Sequence, residues 1–322
     1  MTTQIAQQDA LSRETPVNID VAVQAVEDVM MEIVNSRVDV LRDASHHILG
    51  AGGKRIRPRL LMLCYLALGG TDVKFAAPPA AAVELMHTAS VVHDDINDHG
   101  VLRRGRPSVN AKWGRTFALL TGDFLFTSVY QLMSPYSELN KILADAATAL
   151  VEGETLQAAA VKNNEFTREA YARIIALKTA ALFRAAGEMG ARLADANEKF
   201  VEAMSSAAYN IGLAFQIVDD ILDIVGDEEQ LGKTSGIDIA QGRGFVSATE
   251  SASSLEVQNG ASADDVIDNV KRKLLEGNRL EEARAQAKGL IDMAVRQIGI
   301  LPESAAKDEL IALAQMVINR DH

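Results

Sequence analysis

The sequence predicts an all-α fold, a single large helical bundle. Three observations lead there. Apolar residues recur at i, i+3 and i+4 through most of the chain. Aromatic residues make up only 5% of its 322 positions, whereas Ala, Leu, Met and Glu, all good helix formers, are abundant. No segment keeps the period-two alternation of a half-buried strand, and the weak strand candidates are short.

Residues 1–16 are polar and lack the apolar core of a secretory signal, so they read as a disordered tail before one domain over 17–322. Val23, Val26, Met30, Ile33, Val34, Val38 and Leu41 place one or two amphipathic helices between Asn18 and Leu49. A glycine turn follows at 50–53, then the basic cluster Lys54, Arg55 and Arg57. Pro58 suits the first turn of a helix running through Leu60–Leu68 to Gly69-Gly70. After Pro78-Pro79, a helix from Ala80 to Val92 leads into Asp94, and Gly100 ends it. Arg103–Pro107 reads as a basic loop. Further helices are expected over Ala111–Met133, Leu139–Val161, Arg168–Gly187 and Glu198–Val225. Beyond an acidic loop (Asp227, Glu228, Glu229), the polar stretch Ser251–Ala263 reads as a flexible loop. Helices over Ala263–Glu276 and Leu280–Ile298 follow, with a last one after Pro302.

A net charge of −12 argues against nonspecific nucleic-acid binding, which needs clustered Lys and Arg. The single cysteine, Cys64, lies in an apolar run and allows no disulfide or zinc framework, which suits a reducing cytoplasm. That run, Leu60–Leu68, is nine residues long, and a helix needs about 20 to cross a bilayer, so no membrane span is expected.

The chemistry concentrates in Glu84–Asn110. Asp94 and Asp98 are i and i+4, so their carboxylates share a helix face, and His87, about two turns earlier, points the same way. Asp219 and Asp223 repeat the spacing, with Asp95 and Asp220 as the second aspartate of each cluster. Apolar neighbours such as Val91, Ile96, Ile217 and Ile221 show that neither cluster is a plain solvated face. Uncompensated burial of these charges would be expensive. Hard oxygen ligands without cysteine favour Mg²⁺ on the two carboxylate pairs, and through it a diphosphate. Lys54, Arg57, Arg103, Arg104, Lys178 and Lys233 supply cations for phosphate. Neither Gly53-Lys54 nor Gly232-Lys233 completes a Walker loop, because the first glycine positions hold Ile48 and Asp227.

The blocks GGKRIRP (Gly52–Pro58), ELMHTASVVHDDIND (Glu84–Asp98), RRGRP (Arg103–Pro107), GETLQ (Gly153–Gln157), KTAALF (Lys178–Phe183), FQIVDDILD (Phe215–Asp223) and GKTSGID (Gly232–Asp238) resemble, in order and spacing, the trans-type polyprenyl diphosphate synthases, the family of farnesyl and geranylgeranyl diphosphate synthases. The resemblance covers nearly the whole chain. It implies an isoprenoid-synthase bundle with a central cavity between the two aspartate-bearing helices, a homodimer, and Mg²⁺, three ions per site. It implies condensation of isopentenyl diphosphate with an allylic diphosphate. Asp94, Asp98 and Asp219 would be direct metal ligands, with Asp95, Asp220 and Asp223 acting directly or through water. Arg103, Lys178, Thr179, Gln216 and Lys233 would contact the allylic diphosphate. Lys54, Arg57, His87 and Arg104 would hold the diphosphate of isopentenyl diphosphate. The allylic C–O bond ionises, the double bond of isopentenyl diphosphate attacks the cation, and the released diphosphate takes the proton.

One departure is Arg243, in Gly242-Arg243-Gly244-Phe245, where the family commonly has lysine. It keeps the positive charge with a different geometry. Ala89 and Ser90, just over one turn before Asp94, are small where bulky aromatics block elongation in the family, and Met86 could form a floor one turn deeper. The expected product is therefore geranylgeranyl or longer, with a farnesyl synthase as the alternative. A terpene cyclase or a head-to-head synthase also uses acidic helices and Mg²⁺, but a cyclase would need only one diphosphate site and usually has a different second metal motif. An HD-type phosphohydrolase would need more histidines than His93, and a non-catalytic subunit would not need two intact aspartate motifs.

Overall fold

The computed structural model describes residues 18–163, 167–225 and 279–319. The expected tail at 1–16, the loops at 227–229 and 251–263, the helix over 263–276, Lys233 and Arg243 all lie outside them.

The N-terminal region forms two helices, α1 (Ile19–Ile33) and α2 (Asp39–Leu49). Asn18 caps α1 by accepting from the Asp20 amide at 2.8 Å. Leading into α3 (Ile56–Ala67), the chain turns through Gly52 and Gly53 at φ 76° and 145°, then Arg55 at φ 45°. A non-glycine residue in the left-handed region has to be held there. Arg55 is held by its buried guanidinium, which donates to Glu27 (3.1 Å), Glu84 (3.1 Å) and the Leu49 carbonyl (2.6 Å). α3 is apolar on nearly every side and lies in the core. Burial pushes the Cys64 thiol up to about 12, so it is inert packing.

α4 (Val73–Asn97) starts seven residues before the expected Ala80. Asp72 caps it, accepting from the Phe75 amide, and both Pro78 and Pro79 lie inside. A proline inside a helix leaves the carbonyl four residues back without its donor. For Pro79 that carbonyl is Phe75, and the Tyr136 hydroxyl donates to it at 2.8 Å. The side chain of a residue 61 positions away thus lets the helix pass through its prolines.

The expected basic loop is a minimal antiparallel hairpin, β1 (Leu102–Arg103) and β2 (Arg106–Pro107), in which Arg103 pairs with Arg106. Its two turn residues, Arg104 and Gly105, have φ 53° and 72°, the signature of a primed turn matched to strand twist. The helix expected over 111–133 is two, α5 (Val109–Trp113) and α6 (Arg115–Met133), broken at Gly114 with φ 82°. α7 (Ser137–Asn163) follows. The next expected helix ends its first piece, α8 (Arg168–Ile175), in a π turn at Ala176–Ala180 and continues as α9 (Ala181–Leu193). α10 (Glu198–Val225) spans the residues expected of it. α11 (Arg279–Ile298) and α12 (Ala305–Ile318) complete the described chain. α10 packs on α9 and α11, α4 on α6, and α3 on α9, α4 and α12. Among the described residues no helix is long and apolar enough to cross a membrane.

Candidate active site

α4 and α10 bring their aspartates to opposite walls of one cavity of about 250 Å³, closed by α7, α8 and the π turn. Asp94, Asp95 and Asp98 line one wall, and Asp219, Asp220 and Asp223 line the other. Between them lie Arg57, His87, Arg103, Lys178, Thr179 and Gln216. Lys54 and Arg104 are exposed, on the glycine loop and the hairpin, and do not form its wall. Of the three residues before Asp94 singled out for chain length, Ser90 reaches the cavity, while Ala89 and Met86 are buried in the packing of α4.

The hairpin sends its two neighbouring arginines apart. Arg103 turns inward, its Nε 3.1 Å from Asp95 Oδ1, with Nη2 donating to the same oxygen. Arg104 turns to the glycine loop and donates to the Gly52 carbonyl, its guanidinium lying where a Cβ on Gly53 would be. Arg106 donates to the Gly50 carbonyl at 3.2 Å, and His47 bonds the Pro107 carbonyl at 2.8 Å, so the hairpin is strapped to α2 and its following loop.

Lys178 sits in the π turn, a one-residue irregularity of the kind that re-aims side chains at functional sites. Its ammonium lies 2.6 Å from Glu154, 2.9 Å from the Gln157 side-chain amide oxygen Oε1 and 3.7 Å from Asp94. The π turn can come this close to α7 only because Gly153 has no side chain. A Cβ there would be 2.6 Å from the Lys178 nitrogen. Burial opposes the charge on Lys178, but Asp94 and Glu154 outweigh it and hold its pKa above the ordinary lysine value. Asp95 is shifted up, chiefly by burial, against the pull of Arg103. His87 is pushed well below the usual histidine range, first by burial and then by Arg57, Arg104, Arg103 and Arg55, so it is neutral without an anion. Arg57 stacks its guanidinium 4.6 Å from the Phe183 ring centre.

Residues 38–280 match the family model described as polyprenyl synthetase. The chain belongs to that family. It is 37% identical over 298 residues to the short chain isoprenyl diphosphate synthase of Methanothermobacter thermautotrophicus, covering 88% of this chain and 91% of the relative. To the octaprenyl diphosphate synthase of Haemophilus influenzae it is 35% identical over 314 residues, covering 94% and 95%. It overlays the crystal structure of a polyprenyl synthase from Caulobacter crescentus, complexed with calcium and isoprenyl diphosphate, with a TM-score of 0.87 at 29% identity, covering 96% of this chain and 100% of that one. This synthase is accordingly an all-α trans-prenyltransferase.

In this polyprenyl synthase three polar groups of the site were given no role by sequence reasoning. Glu154 and Gln157 hold Lys178 from α7, and Tyr171 on α8 donates to Asp220 at 2.7 Å. Glu154 and Gln157 lie inside the Gly153–Gln157 block, where their shared helix face was a usable signal. Tyr171 precedes Lys178 by seven residues, about two helical turns. His93 does not line the cavity: its ring packs over Gly122 and bonds the Leu119 carbonyl at 3.2 Å. Among the described residues, no three His, Cys, Asp or Glu side chains converge to hold a metal ion by themselves.

Proposed function

We propose that this synthase condenses isopentenyl diphosphate with an allylic diphosphate to a trans product of geranylgeranyl length or longer, as a cytoplasmic homodimer whose polyprenyl synthase domain spans 17–322. The observation that carries the product length is the α4 wall: of Met86, Ala89 and Ser90, the one that reaches the cavity is the small Ser90, beside His87 and Val91, and no Phe, Tyr or Trp ring stands there. The named relatives include both a short chain and an octaprenyl synthase, so resemblance alone does not choose. Exposed Phe117, Leu119, Leu120 and Tyr130 on α6 offer an apolar face for the second copy.

The site suits Mg²⁺. Its acidic donors are all oxygen, and Asp95 Oδ2 is buried without a hydrogen bond. Because no three His, Cys, Asp or Glu side chains among the described residues converge, an ion held by them would share its shell with phosphate and water oxygens. Asp94, Asp98, Asp219 and Asp223 are the residues to hold it, with three ions per site the family expectation. When bound, Mg²⁺ neutralises the diphosphate and makes it a better leaving group.

The chain's own residues do the rest. Lys178 and Arg103 face the charge that develops on the allylic diphosphate. Arg57, His87, Lys54 and Arg104 surround the second diphosphate, whose charge stabilises a proton on His87 and offsets the crowding of arginines. Leu150, Ile174, Leu182 and Phe215 are among the apolar residues of the wall that exclude water from the allylic cation. Incubation with farnesyl and isopentenyl diphosphates followed by chromatographic sizing tests the reading. Products of twenty carbons or more are expected, and no elongation of farnesyl diphosphate would refute the proposed length.

A further inference from the structure

A directed chain of hydrogen bonds runs behind the α10 aspartates. Tyr171, buried on α8, donates its hydroxyl to Asp220 Oδ2 at 2.7 Å. Gln216 Nε2 donates to the other oxygen, Oδ1, at 2.8 Å. Thr179 Oγ1 donates to Gln216 Oε1 at 2.7 Å. Asp220 and Thr179 are both buried, 6% and 5% exposed, so these bonds are shielded from competing water.

The direction of the chain follows from how the Gln216 amide stands. Each Asp220 oxygen receives a donor, the Tyr171 hydroxyl on one side and the Gln216 NH₂ on the other. The NH₂ end of Gln216 thus faces Asp220, and its carbonyl faces Thr179. A carbonyl only accepts, so the Thr179 hydroxyl has to give it its single proton. What Thr179 then offers the cavity is a lone pair. Such a group suits positive charge on the allylic carbon.

We propose that Tyr171 is a positioning residue for prenyl transfer, acting through Asp220 and Gln216 to fix Thr179 as a hydrogen-bond acceptor towards the cavity, next to Lys178. The proposal rests on the reading of this cavity as the allylic site. Without the tyrosine hydroxyl, Asp220 loses the donor on Oδ2, and its hold on the Gln216 amide loosens. The amide is then free to turn over, and Thr179 is free to point its proton into the cavity.

The test uses full-length enzyme with Tyr171→Phe, Thr179→Val and the double variant, measuring kcat and KM for each diphosphate. Each single change is expected to lower kcat about tenfold, the worth of one hydrogen bond, with the KM for isopentenyl diphosphate within about twofold of the parent. The double variant is expected to be no slower than the slower single, because both act at Thr179. A purely structural tyrosine would give losses that multiply, and that result, or an unchanged kcat in Tyr171→Phe, overturns the proposal. Lys178→Ala separates this from failure of the underlying reading: full activity there would show that the cavity is not the allylic site and would remove both. Should Tyr171→Phe fail to fold, Gln216→Met takes its place in the same cycle with Thr179→Val, under the same criteria.

Discussion

Replacing Gly153 by alanine should reverse the usual sign of that substitution. In a helix interior the change ordinarily stabilises by about 1 kcal/mol. Here the new Cβ would sit 2.6 Å from the Lys178 nitrogen, 2.9 Å from its Cα and 3.0 Å from its Cβ. These are main-chain and Cβ positions that no rotamer change can move, and ordinary contact begins at 3.4 Å, so α7 and the π turn must part by about 0.8 Å (3.4 minus 2.6). Overpacking of this kind costs about 1–3 kcal/mol, which leaves a net loss of up to about 2 kcal/mol once the helix gain is subtracted. The larger effect falls on the Lys178 ammonium, now held 2.6 Å from Glu154 and 3.7 Å from Asp94. A displacement approaching 1 Å in a positioning group costs on the order of 10²-fold in rate. Steady-state kcat at saturating concentrations of both diphosphates, with a urea denaturation curve on the same preparation, measures both effects. A Gly153→Ala enzyme that is more stable than the parent and within about threefold of its kcat would refute the close-approach argument.

Three further outcomes are expected. Glu84→Gln removes one partner of a buried ion pair. Because Arg55 keeps Glu27 and the Leu49 carbonyl, the cost should be about 2 kcal/mol, below the usual 3–5, or a melting temperature about 3 °C lower for a chain of this size; an unshifted melting curve would contradict it. His87 binds its proton less readily folded than unfolded, so the unfolded chain protonates first as pH drops and stability is lost below about pH 6.5, by up to about 1.4 kcal/mol per pH unit. Urea midpoints at pH 7 and pH 5 should therefore differ less in His87→Gln than in the parent, and equal differences would remove His87 as the cause. Ser90→Phe places a ring on the cavity wall and should shorten the product to farnesyl, as read by chromatography; an unchanged product distribution would show that elongation passes elsewhere.

Much of the fold was legible because helical periodicity and Gly or Pro punctuation are local signals. α10 coincides with its expected limits, and the all-α class follows from periodicity. The start of α4 was not legible, because its prolines signal a boundary and the hydroxyl that relieves one of them belongs to Tyr136, in another part of the chain. The π turn was hidden for a different reason: Ala176–Ala180 reads as ordinary helix, and the extra residue shows only in where Lys178 points. The hairpin was too short for alternation to register. In the site, the aspartates and cations announced themselves by charge in apolar surroundings. Tyr171 carried no such mark, since what gives it a role is a partner 49 residues away, and Glu154 showed only the helix face it shares with Gln157, its partner Lys178 lying 24 residues on (178 minus 154).

The hairpin has a consequence for how the two substrates are spaced. Arg103 and Arg104 are joined by a single peptide link, so their Cα atoms are about 3.8 Å apart whatever the surrounding sequence does. One faces Asp95 inside the cavity and the other faces the glycine loop. If they serve the two diphosphates as proposed, the separation of the reactants is gauged by main-chain geometry, the least variable length a protein has. Side-chain substitutions can then weaken either grip without altering that gauge. Inserting one residue into the turn would change it in a single step, and the two reactants would be held out of reach of each other even with every charged group still present.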